Sequence, residues 1–356
     1  MTPATVDLEK AHAFTGKVLA DTSGMTVTIL AALGDRLGLF KALAARGPST
    51  GAEFAKAASI HERYAREWLG GMASAGYVHY DPPSGRFTLP PEHVPALADE
   101  GGPMFFGGAH QMLLGTFGVL DQLTNAFREG GGVRQPAYSE DWWAGMERFT
   151  AGWFENLLLQ QWIPAMPRVR EALERGADVA DVGCNRGRAL IKLARSFPRS
   201  RFVGYDVFEP ALALATARAA EAGVGDRIRF EHRDVSKGLP QPFDVVTTFD
   251  VIHDAVDPAG LLRAIRQALR PNGTYVCLDI NCSDKLEENA GPLGALLHGF
   301  SVLYCMTTSL ANGGVGLGTV GLPESKLKEL ATGAGFGNVR RVPLENPFNN
   351  LYELTP

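Results

Sequence analysis

The sequence predicts an α/β chain: a seven-stranded, mostly parallel sheet wrapped by helices, with a helical domain in front of it. Three observations carry this expectation. From residue 177 onward, short apolar runs alternate with amphipathic stretches, as in a sheet covered on both faces. Before residue 100, helical periodicity gives way to two short runs either side of "DPPSG". Between these parts, residues 101–172 hold Phe and Trp side chains at helical spacing. The expected boundaries are therefore 1–100, 101–172 and 173–356.

Residues 8–46 place Leu30, Leu33, Leu37, Leu39, Phe40 and Leu43 on a helical period interrupted by Gly34 and Gly38, which predicts two short helices with a bend. Ser49 or Thr50 then caps a short helix. A second helix over 61–76 carries Tyr64, Trp68 and Met72 four apart, and "YVHY" and "RFTL" form a hairpin around "DPPSG". Helix, turn, helix and hairpin make a winged helix. Charge argues against DNA as its partner, because Arg63 and Arg66 are balanced by Glu62 and Glu67, and residues 25–100 hold seven basic against eight acidic side chains. A packing or dimerisation module fits better.

The aromatic segment holds Phe105, Phe106, Phe117, Phe127, Trp142, Trp143, Phe149, Trp153, Phe154 and Trp162. Helical spacing explains many of these rings as core, and together they can wall an apolar pocket. Strands are predicted at 178–182, 202–206, 228–231, 243–249, 274–280, 337–343 and 350–354, with helices at 187–196, 210–222, 258–269 and 323–333. Ligands of such sheets sit at the carboxyl ends of the strands, near the switch in strand order.

The whole-chain figures favour small-molecule chemistry. The 356 residues are 45% apolar and 21% charged, with a net charge of -5, so no field draws in nucleic acid or anionic lipid. Cys184, Cys277, Cys282 and Cys305 show no CxxC spacing and are expected as reduced thiols of a cytoplasmic protein. "MTPATVDLEKAHAF" has no signal-peptide core, and no apolar run is expected to approach the ~20 residues of a membrane span.

Four strand ends carry polar residues in series. The first strand runs into "VADVGCNRGRAL", residues 179–190, with Asp181, Gly183, Asn185 and Gly187. Asp206 ends the second, 23 residues after Gly183, close to the ~20 between a nucleotide-binding turn and its ribose-binding acid. Asp234 follows the third, and "FDVIHDAVDP" follows the fourth. The loop lacks the G-x-G-x-x-G of dinucleotide binding, since Asn185 and Arg188 stand where glycines belong, so one adenosine without a pyrophosphate fits it better. Asn185 is expected to keep positive φ, as Asn visits that region more readily than most residues.

"VADVGCNRG", "FVGYDVFEPAL", "RFEHRDVSKGLP", "FDVVTTFDVIHD" and "LRPNGTYVCLDI" resemble the successive motifs of class I S-adenosylmethionine (SAM)-dependent methyltransferases. With the winged helix, the resemblance extends over nearly all of the chain, to small-molecule O-methyltransferases and a related actinobacterial group whose N-terminal module dimerises. It implies a Rossmann-like domain, SAM as cofactor with S-adenosylhomocysteine (SAH) as product, a small-molecule acceptor and a homodimer. It further implies that Asp181, Gly183, Asn185 and Gly187 surround the methionine end, Asp206 and Val207 the ribose side, Asp234 and Val235 the adenine, and Phe249 or Asp250 the sulfonium.

In that group a His-Asp pair after the fourth strand supplies the base, and His253 with Asp254 matches it, although Ala255 stands where plant-type enzymes have Trp. An imidazole with an ordinary pKa of ~6.5 suits removal of a hydroxyl proton. Trp153, Phe154, His298 and Met306 are the candidates for acceptor contact. Two other readings stay open. His253, Asp254 and His298 resemble the metal set of C-methyltransferases acting on 2-oxo acids, and a winged helix joined to a SAM-sensing domain would make a transcription regulator. The glycines of "CMTTSLANGGVGLGTVG", 305–321, predict either a loop near the acceptor or a plain surface loop.

Overall fold

The computed structural model of the chain describes residues 6–356. Its contacts form two compact units, Met1–Gly115 with Glu140–Gly152, and Thr116–Ser139 with Trp153–Pro356. The aromatic segment expected at 101–172 is thus shared between the two. Within the first unit, the reason is close helix pairing: a Cβ at Gly108 would come within 2.2 Å of Phe149 N, and one at Gly115 within 2.4 Å of Trp142 N.

The first unit opens with helix α1, Leu8–Arg36, capped by Asp7, and α2, Leu39–Arg46. In place of two short helices there is one of 29 residues and one of 8. Gly34 does not interrupt α1, because its missing side chain makes room for Trp68, whose ring would lie 2.5 Å from a Cβ there. The break falls at Gly38, which adopts φ 68. Helix α3, Gly51–Ala58, starts with a Thr50–Glu53 capping box, and α4 spans Glu62–Ser74. Phe54 stacks on Trp68 at 6.0 Å and Met72 is fully buried, but Tyr64 is 77% exposed, so the expected stripe is one residue shorter. Strands β1, His79–Asp81, and β2, Arg86–Thr88, close the winged helix as a hairpin.

The second unit holds the sheet. Its strands are β3 Asp178–Val182, β4 Arg201–Asp206, β5 Ile228–His232, β6 Phe243–Phe249, β7 Leu269–Ile280, β8 Asn338–Val342 and β9 Asn349–Thr355. Their order is β5-β4-β3-β6-β7-β9-β8, parallel through β7, with β9 antiparallel to both β7 and β8. The order reverses between β3 and β6, so the crevice at their carboxyl ends is where this topology binds ligands. Helices Arg188–Ser196, Glu209–Glu221, Pro258–Ala268 and Glu324–Gly333 cover the sheet at the expected positions.

Two helical stretches depart from expectation. Residues 305–311 continue a helix, so the glycine loop begins only at Asn312. That helix, Gly291–Ala311, has 21 residues and is long and apolar enough to cross a membrane by length and composition, which corrects the expectation that no run approaches a span. Half of its apolar window is buried in the unit, and its Ser301, Thr307, Thr308 and Ser309 lie in the interior. The other stretch, Phe154–Trp162, is π-helical, as are Ser301–Cys305, and such wide turns are frequent at functional sites.

Candidate cofactor and base site

The site is built where β3, β4, β6 and β7 end. Beyond β3, Asn185 takes φ 46, as its sequence position predicts, and this conformation aims its backbone N–H at Asp206 Oδ2, 2.8 Å away. The N–H of Phe208 donates to the other carboxylate oxygen at 2.9 Å. The acid at the end of β4 is thereby fixed from both sides. Burial raises its pKa against these backbone donors. Val207 beside it is 54% exposed, an apolar platform next to a carboxylate.

The two loop glycines serve packing as well as turning. A Cβ on Gly183 would meet Val251 Cγ2 at 2.5 Å, and one on Gly187 would meet Phe230 Cζ at 2.7 Å, while both hold positive φ. Asp181 is fully enclosed under the loop, accepting from Thr247 Oγ1 at 2.6 Å, and burial pushes its carboxyl up to about 7. Asp234 is spent on local structure, accepting from Ser236 Oγ at 2.6 Å and pairing with Lys237 at 3.2 Å. Val235 packs into the core.

An aromatic wall stands at the end of β6. Phe249 meets Phe154 edge-on at 5.2 Å and lies nearly parallel to Trp162 at 6.1 Å. The Trp162 indole N–H is buried without a partner among the described residues. Trp153 stacks on Phe348 at 5.4 Å. Of these rings the sequence nominated Trp153, Phe154 and Phe249. Trp162 was one of the ten rings expected as core or, together, as a pocket wall, and Phe348 gave no signal at all.

His253 is 3% exposed, and its Nδ1 lies 2.7 Å from Asp279 Oδ1. The carboxylate that orients the imidazole is therefore Asp279, at the end of β7, rather than the neighbouring Asp254. Asp279 also accepts from the N–H of Ile252 at 3.1 Å and of Ile280 at 2.8 Å, so it is locked to the loop it serves. Burial alone would push the imidazole down, but the Asp279 carboxylate and the Cys305 sulfur outweigh it and hold the pKa well above the ordinary histidine value. Asp254 and Asp250 are raised too, here by burial itself with Asp279 adding repulsion, each to about 7.

Asp250 carries a second departure. It takes φ 57, a left-handed conformation costing about 1 kcal/mol, and accepts from Asn349 Nδ2 at 2.6 Å. The carboxylate and imidazole atoms of Asp250, His253 and Asp279 lie within 4.8 Å of one another, the spacing of a metal-binding group. The set anticipated from sequence, His253 with Asp254 and His298, is not drawn together in this way among the described residues. His298 sits on the 291–311 helix with its Nε2 unpartnered, and Met306 lies beside Gly318.

Residues 180–275 match the methyltransferase domain family, and residues 25–98 match the Rv2258c-like winged HTH domain. The chain carries a methyltransferase domain behind a winged helix-turn-helix domain. A ubiquinone biosynthesis O-methyltransferase of Pseudomonas syringae is 28% identical over 150 residues, 42% of this chain and 62% of that protein. The chain thus spans less than two thirds of the length of that relative. Among solved structures, mitomycin 7-O-methyltransferase is 18% identical with a TM-score of 0.68, covering 98% of this chain and 100% of that one. Human N-acetylserotonin methyltransferase, solved with SAM, is 16% identical with a TM-score of 0.68, covering 100% of this chain and 99% of the other. The methyltransferase fold, with its winged-helix domain, therefore extends over the whole chain.

The methyltransferase domain gives the 183–187 loop after β3 a direct test. Asn185→Gly should keep the turn, and SAH affinity by calorimetry should be equal or tighter; a large loss would mean that the amide side chain itself is a ligand contact.

Proposed function

We propose that the chain is a SAM-dependent methyltransferase acting on a hydroxyl of a small, partly aromatic or apolar metabolite, with His253 as general base. The observation that carries this reading is the buried His253–Asp279 pair at the strand-end crevice of a methyltransferase domain. The residues fit SAM: a fixed carboxylate with an exposed apolar neighbour at β4 suits a ribose and its base, and the aromatic wall with an unpartnered indole N–H suits the rest. Asp206, Val207 and the Gly183–Gly187 loop would hold SAM, with Phe249, Phe154 and Trp162 lining it. When bound, SAM supplies an electrophilic methyl group and departs as SAH.

The chain's own part is proton removal and alignment. Nδ1–H of His253 donates to Asp279, which leaves Nε2 as the accepting nitrogen. As the acceptor oxygen attacks, Nε2 takes its proton, and Asp279 stabilises the imidazolium that results. Burial of the pair, with His253 at 3% and Asp279 at 1% exposure, strengthens that charge pair.

A pH dependence follows from the sign of the His253 shift. The base must start neutral, so kcat should rise with pH through a pKa above the ordinary ~6.5. Asp279→Asn removes the charge that raises it. The rising limb should then move toward lower pH while the plateau rate falls; a limb that stays put would remove Asp279 from this role.

The N-terminal unit supports self-association. In the single chain, residues 12–26 of α1 are exposed throughout, Phe14, Val18, Leu19 and Met25 among them. An apolar cavity of about 900 Å³ lined by Leu30, Leu33, Leu37, Ile60 and Tyr64 lies in the same unit. DNA binding is disfavoured because both arginines of α4 are paired on the helix, Arg63 with Glu67 and Arg66 with Glu62. Native mass spectrometry of freshly purified protein tests both parts of the proposal. A dimer retaining SAM or SAH is expected, and a monomer that takes up neither would contradict it.

A further inference from the structure

The glycine loop after Asn312 packs against the loop that carries the base. Residues 253–256 expose three backbone carbonyls, and each is met from the 309–318 stretch. Gly318 N–H donates to His253 O at 3.0 Å, and Val315 N–H to Val256 O at 3.2 Å. Ser309 Oγ donates to Ala255 O at 3.0 Å. The same hydroxyl accepts from Gly316 N–H at 3.2 Å, so Ser309 ties the base loop and the glycine loop through one oxygen. Ser309 is 1% exposed, where leaving a polar group unmatched is costly.

Small residues are required for this approach. A Cβ on Gly314 would lie 2.7 Å from Val256 Cα, and Gly318, at φ 76, would place one 2.1 Å from Ser301 Oγ. The helix bearing Ser309 is itself anchored. Tyr138 Oη donates to Leu303 O at 2.6 Å, in the π-helical turn, and Thr307 Oγ1 accepts from Val133 N–H at 3.0 Å. Gly132 allows the latter contact, since a Cβ there would fall 1.9 Å from Thr307 O.

We infer that the 309–318 stretch is a clamp that sets the position of the base loop, with Ser309 as its positioning residue. The arrangement explains why a buried serine at the end of a helix is followed by four glycines, Gly313, Gly314, Gly316 and Gly318, in a stretch without helix or strand. The inference rests on the reading of His253 as the base. The groups that face His253 are Asp279 on β7, Cys305 on the π-helical turn, and Asp250 and Asp254 on its own loop. None of these is altered by a change at Ser309.

The test uses the full chain, labelled with 13C at histidine Cε1, at one fixed pH, with the His253 cross-peak assigned by its loss in His253→Ala. Ser309→Ala should displace and broaden that cross-peak, Ser309→Thr should restore the wild-type position, and SAH affinity by calorimetry should stay within about twofold in both. An unmoved cross-peak in folded Ser309→Ala would overturn the clamp and leave the loop as surface packing. If Ser309→Ala does not fold, amide exchange in the wild type decides: Gly316 and Gly318 N–H must be protected, and exchange at the unstructured rate overturns the inference. Failure of SAH to bind wild type would strike the methyltransferase reading separately, because the cross-peak comparison needs no cofactor.

Discussion

Replacing His253 with alanine is expected to lower methyl transfer by about 10²- to 10⁴-fold while leaving SAH affinity unchanged. The loss would have this size if, as proposed, the imidazole accepts the acceptor's proton, and no other imidazole among the described residues shares a hydrogen bond with Asp279. Removing His253 also leaves Asp279 buried at 1% exposure without its partner. His253→Gln, which keeps a polar group in that space, should lose a similar factor in rate with a smaller loss of stability. A wild-type rate in either variant, measured with any accepted substrate, would remove His253 from the mechanism.

The second large effect lies in the N-terminal unit and concerns stability. Arg148 makes a two-pronged pair with Asp35, Nη1 to Oδ2 at 2.7 Å and Nη2 to Oδ1 at 2.9 Å, and its Nε reaches Glu100 at 2.6 Å. It also donates to Gln111 Oε1 at 2.8 Å and lies over the Phe105 ring at 5.3 Å. The Asp35 side chain is only 6% exposed, so Arg148→Ala would strand a buried carboxylate. Breaking one side of such a pair costs about 3–5 kcal/mol, and the 25% exposure of Arg148 places the expected value near the lower end, ~3 kcal/mol. Arg148→Lys should recover less than half, as an ammonium cannot reproduce the fork. Urea unfolding followed by tryptophan fluorescence would show the first transition shifted to lower urea. An unshifted transition in Arg148→Ala would mean that the network contributes nothing net.

These two cases show what local sequence can and cannot reveal. The sheet was legible because its strands are apolar runs of the right length with turn residues between, and each expected strand from 178–182 to 350–354 is present. The loop at Asn185 was legible because Asn in place of Gly still signals positive φ. The place of Asp206 at the end of its strand was legible from the apolar run before it. Asp279 was not, because its partnership with His253 spans 26 residues and depends on β6 and β7 being neighbours in the sheet. Asn349 was hidden for the same reason: it reaches Asp250 only because β9 returns antiparallel beside β7. The π-helical turns that carry Trp162 and Cys305 leave no mark on a 3.6-residue period. Gly34 misled for a physical reason, since a glycine inside a helix can serve a neighbour's ring as well as a bend.

The central claim is that the crevice at the ends of β3, β4 and β6 binds SAM, with Asp206 as its ribose acid. Calorimetric titration of the full chain with SAH, comparing wild type with Asp206→Ala, tests it most directly. The account predicts one site per chain in the wild type and a loss of at least tenfold in affinity in the variant, at unchanged stoichiometry of folded protein. Absence of heat in the wild type, or equal affinity in the two proteins, would contradict it.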